Sequence, residues 1–497
     1  MFRKVLIANR GEIAVRVIRT CSEMGIATVA LYSEVDRLAL HVRMADEAYP
    51  IGPAPAEESY LRQDVILNVA RRAGADAIHP GYGFLSENPA FAKACAKAGL
   101  RFIGPSPEAM ELLGDKLAAK QTVAQVGVPL VPGTSDPVAS AAQLRGEARE
   151  IGFPLLIKAA AGGGGKGIHA VRTLAELEPA LRLAQGEAQA AFGDKRVFLE
   201  RLLQRARHVE VQVLADEHGN CIHLGERECS IQRRHQKLIE ESPSPAVMPE
   251  LRQRMGAAAV AAAKAAGYSN AGTVEFLLDE SGEFYFIEVN ARLQVEHPVT
   301  EWITGLDLVR EQLRIAAGEQ LNLRQEDVSW RGAAIECRIT AEDPDLDFLP
   351  ITGQALDLVE PSGPGVRFDH MLFPGVEISR YYDSLLGKLI VWADSRETAI
   401  ARMQRALGEL RIPGLKTTIP FHAWTMRNDA FRKGELHTGF IEQHWQPGSA
   451  AAPDAEVAAI AAAVLEFQTG GRQLTNDEPR PTTSHWRLAA RREMAGQ

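Results

Sequence analysis

The stretch Phe153-Pro-Leu-Leu-Ile-Lys-Ala-Ala-Ala-Gly-Gly-Gly-Gly-Lys-Gly167 joins an apolar strand pattern to four consecutive glycines. Glycine lets backbone N–H groups approach an anion closely and tolerates positive φ, so the run suits a flexible lid over phosphate groups. No Gly-Lys-Ser/Thr ending is present, and the run lies deep in the chain. It is therefore neither a Walker A loop nor a dinucleotide-binding fingerprint. Lys158 adds a cation at the end of the strand. A mobile surface loop is the alternative interpretation.

Further along the chain, Thr273–Leu278 and Glu283–Val289 read as two strands of a hairpin with its loop at 279–282. We expect Leu278 to face Glu283, which places Glu275 on a diagonal to Glu288 on one face of the hairpin. Asn290 follows on the same face. Such hard oxygen ligands suit Mg²⁺. The alternative is that this face points outward into solvent. We expect Phe284 and Phe286 to lie on the same face, and two bulky apolar side chains there disfavour exposure to solvent.

Two segments near this hairpin in the sequence are dense in polar side chains, Glu226–Lys237 and Asn290–Glu301. Both combine carboxylates with arginine, lysine, glutamine and histidine, which are suitable donors for an anionic substrate. Next to a metal site, such a density favours a substrate pocket. A charge run is more commonly a solvated surface, and this interpretation stays open for Glu226–Lys237 on its own.

The rest of the chain fits a mixed α/β protein. The first ~110 residues alternate strand and helix patterns, which is typical of a doubly wound parallel sheet. Apolar patterns predict the following strands and helices: strands at Lys4–Ala8, Thr28–Tyr32, Ala75–His79, Leu100–Ile103, Phe153–Ala159, Val197–Glu200, His208–Ala215, Cys221–Glu228, Ala333–Ile339 and Lys388–Trp392, and helices at Ile13–Met24, from Gly167 to about Gly193, at 249–266 and at 397–409.

Composition excludes several classes of protein. The 497 residues are 46% hydrophobic and 24% charged, as in soluble globular proteins, and the net charge of −9 gives no support to nucleic-acid binding. The five cysteines form no CxxC pair and predict reduced thiols. The apolar run after Met1 is too short for a signal peptide, and no stretch is long enough for a membrane span. We therefore expect a cytoplasmic protein without a membrane partner.

Five motifs together resemble biotin carboxylase, the biotin-carboxylating component of biotin-dependent carboxylases: Asn9–Ala14, His79–Asn88, the glycine-rich run, Cys229–Lys237 and Asn290–Glu301. The resemblance extends over residues 1 to about 445. It implies an ATP-grasp fold with a parallel-sheet N-terminal domain (1–113), an ATP-grasp domain (114–320) that contains a lid at about 131–203, and a C-terminal biotin carboxylase domain (333–445). Residues 446–497 read as a tail with an Ala-rich helix (455–467), a polar linker (475–484) and a short apolar patch near Trp486.

The resemblance also implies roles for individual residues. It assigns ATP contacts to Lys116, Lys158, the lid residues Gly162, Gly163, Gly164, Gly165, Lys166 and Gly167, the adenine hinge Glu200, Arg201 and Leu203, and His208, Gln232 and His235. It assigns a pair of Mg²⁺ (or Mn²⁺) ions to Glu275, Glu288 and Asn290. It assigns bicarbonate to Lys237, Arg292, Gln294 and Val295, with Glu296 as its base. It assigns biotin to Arg338, Tyr82 and Gly83, with Arg338 stabilising the biotin enolate.

The activity implied is the ATP-dependent carboxylation of biotin with bicarbonate, through carboxyphosphate, within an acetyl-CoA carboxylase of fatty acid biosynthesis or a related carboxylase. No Ala-Met-Lys-Met biotin-attachment motif occurs, so the expected partners are a biotin carboxyl carrier protein and carboxyltransferase subunits. A homodimer is expected, although Pro361–Val366 lacks an aromatic residue that some members use in dimer contact. The alternatives are another ATP-grasp ligase, such as a carbamoyl-phosphate or purine-pathway enzyme, and an inactive scaffold subunit.

Overall fold

The N-terminal residues form a parallel sheet in the computed structural model, which describes residues 1–138, 141–160 and 167–450. The elements are β1 (Lys4–Ile7), α1 (Gly11–Glu23), β2 (Ala27–Ser33), α2 (Leu40–Met44), β3 (Glu47–Gly52), α3 (Gln63–Ala73), β4 (Ala77–His79), α4 (Pro89–Lys97), β5 (Arg101–Phe102), α5 (Pro107–Gly114) and α6 (Lys116–Gln125). The strand order is β3-β2-β1-β4-β5, and helices connect successive strands. Every ladder in this sheet is parallel, which confirms the predicted doubly wound pattern.

The edge strand β3 was not predicted. Its sequence Glu47-Ala-Tyr-Pro-Ile-Gly52 contains a proline and only one fully buried residue, Ile51. Proline cannot donate to a central ladder and is confined mainly to edge strands. The apolar signal that identified the inner strands is therefore absent from this one.

A small antiparallel sheet carries the glycine-rich run between two of its strands. The elements of this region are α7 (Ala141–Ile151), β6 (Leu155–Ala159), β7 (Ile168–Val171), α8 (Leu177–Phe192) and β8 (Val197–Arg201). The strand order is β7-β6-β8. The helix predicted from Gly167 is wrong over its first residues, because Ile168–Val171 pair with Leu155–Lys158. The helix begins only at Leu177.

The largest sheet is built from two parts of the chain. Its N-terminal part consists of β9 (Arg207–Ala215), β10 (Cys221–Arg233), β11 (Gln236–Ser242), α9 (Pro249–Ala265), β12 (Asn270–Leu278) and β13 (Phe284–Asn290). Helix α9 packs against β9 and β10, and all the neighbouring strands of this part run antiparallel to one another.

Strand β11 was missed, and β10 was predicted too short, because the segment that joins them looks polar. The turn Arg234–His235 has φ of +48° and +66° without glycine or asparagine, whereas tight hairpin turns usually carry those residues. Asp347 pairs with Arg233 at 2.6 Å and with Arg234 at 2.9 Å beside this turn.

The C-terminal part completes the large sheet and packs helices against it. It consists of α10 (His297–Thr304), α11 (Leu308–Ala316), β14 (Ala333–Thr340), β15 (Glu342–Asp343), β16 (Leu349–Pro350), β17 (Gly353–Gln354), β18 (Val366–His370), β19 (Glu377–Ile378), β20 (Leu385–Ala393), α12 (Arg396–Glu409), α13 (Ile419–Thr425), α14 (Asp429–Lys433) and α15 (Phe440–His444). The eight strands have the order β13-β12-β9-β10-β11-β14-β20-β18. Strand β11 pairs directly with β14, so strands on both sides of residue 320 share one sheet.

Single 3₁₀ turns lie at Glu34–Asp36, Ala56–Glu58, Leu174–Glu176, Gln325–Asp327 and Pro344–Leu346.

Two apolar clusters hold the parallel sheet against the large sheet. One joins Leu6 and Val29 to the hairpin residues Phe276 and Phe286, and the other joins Val5 and Ile7 to Leu214 of β9.

Met1–Pro447 is one compact unit by backbone contacts, and the predicted boundaries within it stay predictions. Residues 455–497, with the predicted tail helix, linker and patch, lie outside the described residues. Among the described helices, none has the length and apolarity that a membrane crossing requires.

Candidate active site

The metal-ligand hairpin is formed by β12 and β13, but its predicted register is wrong. Leu278 faces Phe284 instead of Glu283, and a bulge after Phe286 places Glu275 directly opposite Glu288. A bulge inserts one residue and reverses the alternation of faces beyond it. Phe284 and Phe286 therefore pack with Phe276, with ring centroids 5.3 and 6.4 Å apart, on the face opposite Glu288. The aromatic argument used for the prediction is thus wrong, although both carboxylates do share a face.

The three predicted metal ligands lie together on that face. The Asn290 amide donates to Glu275 Oε1 at 2.7 Å, and Glu288 Oε2 lies 3.3 Å from Lys116 Nζ. His208 Nε2 is 2.9 Å from the other oxygen of Glu275. Burial opposes the ionisation of Glu275, but Lys237 and His208 outweigh it and hold its pKa well below the usual range. A hard, ionised donor set of this kind fits Mg²⁺ or Mn²⁺. Glu275, Glu288 and Asn290 would hold the ion, which would neutralise phosphate charge.

The metal prediction is tested by removing one charge at a time. Glu275→Gln and Glu288→Gln should each raise the Mg²⁺ concentration for half-maximal ATP hydrolysis by about 10- to 100-fold, because a neutral amide is a weaker ligand. Glu283→Gln is the control, since Glu283 starts the same hairpin but pairs with Arg254 at the surface. Unchanged Mg²⁺ titrations in both site variants would show that the hairpin binds no metal.

A buried lysine lies at the centre of the site. Lys237 Nζ donates to Glu210 at 2.5 Å, to Glu275 at 2.9 Å and to Glu296 at 2.7 Å. Burial disfavours its charge, but the three carboxylates raise its pKa well above the usual range. The lysine is therefore a permanent cation between the metal ligands and the predicted base.

Glu296 precedes the first residue of α10 and links two cations. Its second oxygen accepts from Arg338 Nη2 at 2.9 Å, and its side chain has no exposure to solvent. Burial raises the pKa of Glu296, but Lys237 and Arg338 lower it by more than burial raises it. The pKa therefore lies well below its usual range. The carboxylate is consequently ionised between these two cations.

Arg338 is held at both ends. Its Nε donates to Glu240 at 2.6 Å, and its carbonyl oxygen accepts from His422 Nε2 at 2.7 Å. Burial raises the pKa of Glu240 to about 7, although Arg338 opposes that rise. A guanidinium fixed in this way can face a developing negative charge without reorganising.

Arg292 connects the bicarbonate segment to the N-terminal part of the chain. Its Nε donates to Glu87 at 2.9 Å, and the backbone N–H of Ala291 donates to the same carboxylate at 3.0 Å. Its Nη atoms reach Gln294 Oε1 at 2.9 Å and Asn290 Oδ1 at 3.1 Å. The structure thus brings Arg292 and Gln294 into contact with the predicted metal ligands Asn290 and Glu275.

Two lysines lie beside one buried carboxylate on the predicted phosphate side. Lys158 Nζ is 2.5 Å from Glu200 Oε2, and Lys120, which was not predicted, pairs with the other oxygen of Glu200. Burial raises the pKa of Glu200, but both lysines lower it below its usual value. The Glu200 side chain therefore orients the two lysines, and the adenine contact assigned to it stays a prediction.

The remaining predicted residues are placed in several different surroundings. Leu203 borders an open cavity of about 520 Å³ that His437 also lines. Gln232 faces Lys237 across the β10–β11 ladder, and His235 is exposed in the turn.

Arg201 is exposed at the end of β8, and Gly83 at φ +68° is exposed in the loop after β4. Tyr82 donates to Glu12, and the Val295 carbonyl accepts from Lys388. Gly162–Lys166 lie outside the described residues, and Gly167, at φ +71°, accepts from the Ala159 N–H.

Sequence reasoning missed several buried partners of the site. Glu210 is completely buried and binds both Lys237 and Arg227, although its strand alternates polar and apolar residues as a solvated strand would. Arg227 also donates to Gln212 at 2.7 Å and to Thr300 at 2.9 Å. The charge-rich segment Glu226–Lys237 contained the signal for Arg227, which belongs to a buried network and not to a solvated face.

Comparison with known proteins agrees with this geometry. Residues 1–110 match the family described as biotin carboxylase, N-terminal domain, residues 115–324 match carbamoyl-phosphate synthase L chain, ATP binding domain, and residues 336–443 match biotin carboxylase C-terminal domain. A pyruvate carboxylase subunit of Methanothermobacter thermautotrophicus is 56% identical over 444 residues, 89% of this chain and 90% of that protein. Biotin carboxylase of Nostoc sp. is 55% identical over 442 residues, 89% of this chain and 99% of that protein.

A solved structure extends the likeness to the fold. The biotin carboxylase domain dimer of Hydrogenobacter thermophilus 2-oxoglutarate carboxylase, in complex with MgADP, ADP and bicarbonate, superimposes with a TM-score of 0.88 at 50% identity. The alignment covers 91% of this chain and 99% of that one. The fold is ATP-grasp, as predicted. The chain belongs to the biotin carboxylase family, and it is an ATP-dependent ligase that carboxylates biotin with bicarbonate.

Proposed function

We propose that the cluster around Lys237 activates bicarbonate and that Arg338 directs the product to biotin. The observation that carries this proposal is the position of Glu296, whose two oxygens bind Lys237 and Arg338. Glu296 therefore lies between Lys237, on the metal side, and Arg338, on the biotin side. This position joins the phosphorylation of bicarbonate to the carboxylation of biotin.

Bicarbonate is a poor electrophile, so it must first be phosphorylated. Glu296 takes the bicarbonate hydroxyl proton, and the freed oxygen attacks the γ-phosphorus of ATP, which breaks the bond to ADP and forms carboxyphosphate. Lys237 and Arg292 hold the bicarbonate charge with Gln294 and the Val295 backbone. Phosphoryl transfer depends on positioning and on charge stabilisation, which this cluster of cations supplies.

ATP itself is bound on the lysine-rich side. Lys116 and Lys158 contact its phosphates, Gly162–Gly167 close over them, and the backbone from Glu200 to Leu203 binds adenine. His208, Gln232 and His235 support the nucleotide. The pairing of Lys158 and Lys120 with Glu200 supports this placement, because fixed ammonium groups lose little entropy when they receive a phosphate.

Biotin occupies the side of Arg338, Tyr82 and Gly83. Carboxyphosphate breaks into phosphate and carbon dioxide, the released phosphate takes the proton of the ureido nitrogen of biotin, and this nitrogen bonds to the carbon of carbon dioxide. The weak nucleophile gains strength as charge develops on the ureido oxygen, where the Arg338 guanidinium stabilises it.

The proposed assembly is based on relatives that are parts of pyruvate and 2-oxoglutarate carboxylases. We propose that the biotin belongs to a carrier protein, that carboxyltransferase subunits take the carboxyl group to an acyl-CoA, acetyl-CoA included, or to a 2-oxoacid, and that the protein acts in the cytoplasm. Homodimerisation is proposed from the dimeric 2-oxoglutarate carboxylase domain. Sedimentation analysis checks the dimer, and assay with each acceptor in the presence of the purified carboxyltransferase identifies the acceptor.

The experiment that tests the function follows ADP release and [¹⁴C]bicarbonate fixation on free biotin with MgATP. We expect ADP release to require bicarbonate and to rise with biotin, with label appearing in carboxybiotin. ADP release that is indifferent to both substrates would contradict the proposal.

A further inference from the structure

The side chain of Lys388 on β20 is completely enclosed between the two halves of the site. Its ammonium donates to the Val295 carbonyl at 2.8 Å and lies 3.1 Å from Glu12 Oε1. Lys388 faces Arg338 across the β14–β20 ladder, so both cations project from the same face of the sheet.

Glu12 extends the connection to the biotin side. It lies in the first turn of α1, it is buried, and its carboxylate accepts from the Tyr82 hydroxyl. The Lys388 ammonium also lies 5.9 Å from the centre of the Tyr82 ring. One ammonium and one carboxylate thus join the segment that holds bicarbonate to the loop that faces biotin.

We infer that Lys388 and Glu12 are positioning residues that keep the biotin-side loop aligned with the bicarbonate-side segment, so that the activated carboxyl group reaches biotin instead of water. The inference rests on the proposed function. Neither residue touches a substrate in that proposal, and neither was singled out by the sequence.

General energetics favours a positioning role over a purely stabilising one. A buried ion pair contributes little or no net stability compared with apolar residues of similar volume, because desolvation of both charges is costly. What such a pair does supply is a defined geometry, since each charge must meet its partner. Here the partners lie on α1, on β20 and in the segment before α10, and the pair adds a second link to the one that Glu87 makes with Ala291 and Arg292.

The alignment of the two loops matters because carboxyphosphate does not last long enough to wait for biotin. The intermediate is labile, and its carbon dioxide is lost unless the biotin nitrogen is already close. A displacement of about 1 Å can reduce a reaction of positioned groups by about 100-fold. Misalignment should therefore leave ATP cleavage running while carboxybiotin formation falls.

The test compares Lys388→Met, Glu12→Gln and Tyr82→Phe with the intact enzyme, measuring the ratio of ADP released to carboxybiotin formed. We expect biotin carboxylation to fall by about 10- to 100-fold in Lys388→Met, with a raised KM for biotin, while ADP release without biotin stays within about threefold. Glu12→Gln keeps the shape of Glu12 and removes the charge that faces Lys388, so it decides the matter if Lys388→Met does not fold, whereas Tyr82→Phe measures what the hydroxyl itself contributes on the biotin side.

A matched control is the pair Arg252 and Glu226, in which a half-buried arginine meets a buried glutamate at 2.7 Å, on α9 and β10. Arg252→Met should destabilise the protein without changing the ratio. A folded Lys388→Met or Glu12→Gln with the unaltered ratio would overturn the inference while leaving the proposed function standing. If the intact enzyme itself formed no carboxybiotin, the proposed function would fail instead.

Discussion

Replacing Glu296 by glutamine is expected to lower bicarbonate-dependent ATP hydrolysis by about 10²- to 10⁴-fold, the usual contribution of a positioned general base. Glutamine keeps the shape of the side chain, and its single oxygen can still accept from either Lys237 or Arg338, but it cannot take the bicarbonate proton. The loss should lie in kcat, with little change in the KM for ATP, because the nucleotide is bound by other residues. Steady-state ADP release at saturating bicarbonate measures it.

The pH dependence of the intact enzyme gives a second measurement of the same group. Lys237 and Arg338 hold the pKa of Glu296 well below its usual range, so the carboxylate is already ionised at neutral pH. Between pH 6 and 8 the rate should therefore show no acid limb from this group. Glu241→Gln is the control, since Glu241 is also buried but binds Arg396 on the other side of β11. Full bicarbonate-dependent hydrolysis by Glu296→Gln would remove Glu296 from the role of base.

Replacing Arg338 by alanine is expected to lower biotin carboxylation by about 10²- to 10³-fold, as the loss of one preorganised donor to a developing anion does. Binding of ATP should survive, since Arg338 contacts Glu240 and Glu296 and none of the phosphate-side lysines. The effect should appear in kcat more than in the KM for biotin, because the interaction strengthens as the ureido charge develops.

The measurement for Arg338→Ala is [¹⁴C]carboxybiotin formation beside nucleotide binding by calorimetry. Arg396→Ala is the matched control, because Arg396 is likewise paired with a buried glutamate, Glu241, but outside the site. Arg338→Lys separates charge from geometry, and we expect it to recover only part of the rate, since lysine lacks the planar fork. Normal carboxybiotin formation by Arg338→Ala would exclude the enolate role.

The sequence alone determined the parallel N-terminal sheet, the strand before the glycine run and the placement of Glu275 and Glu288 on one face of a hairpin, although not their direct pairing. These features depend on local signals: a period of two residues in a strand, apolar runs and glycine composition. The sequence also contains the family motifs that indicate the reaction. Cys229–Lys237 and Asn290–Glu301 can be found without a structure because each motif is one continuous segment of the chain.

Only the tertiary structure decided the hairpin register and the β10–β11 turn. The bulge after Phe286 adds a residue without any glycine or proline to mark it, and Arg234 and His235 adopt positive φ against their own preference. In both places, packing of the surrounding sheet outweighs local conformational preference, which a reading of neighbouring residues cannot weigh.

The tertiary structure alone also assembled the charge network. Lys237 meets Glu296 across 59 residues of chain, Arg338 meets Glu240 across 98, and Lys388 meets Val295 across 93. Periodicity tells which face of its own strand a side chain occupies, but not which distant strand faces it. Glu210 and Arg227 therefore looked like solvated residues, and became buried partners only when the large sheet closed against α10. A charge can be buried there only because its counter-charge arrives from elsewhere in the chain.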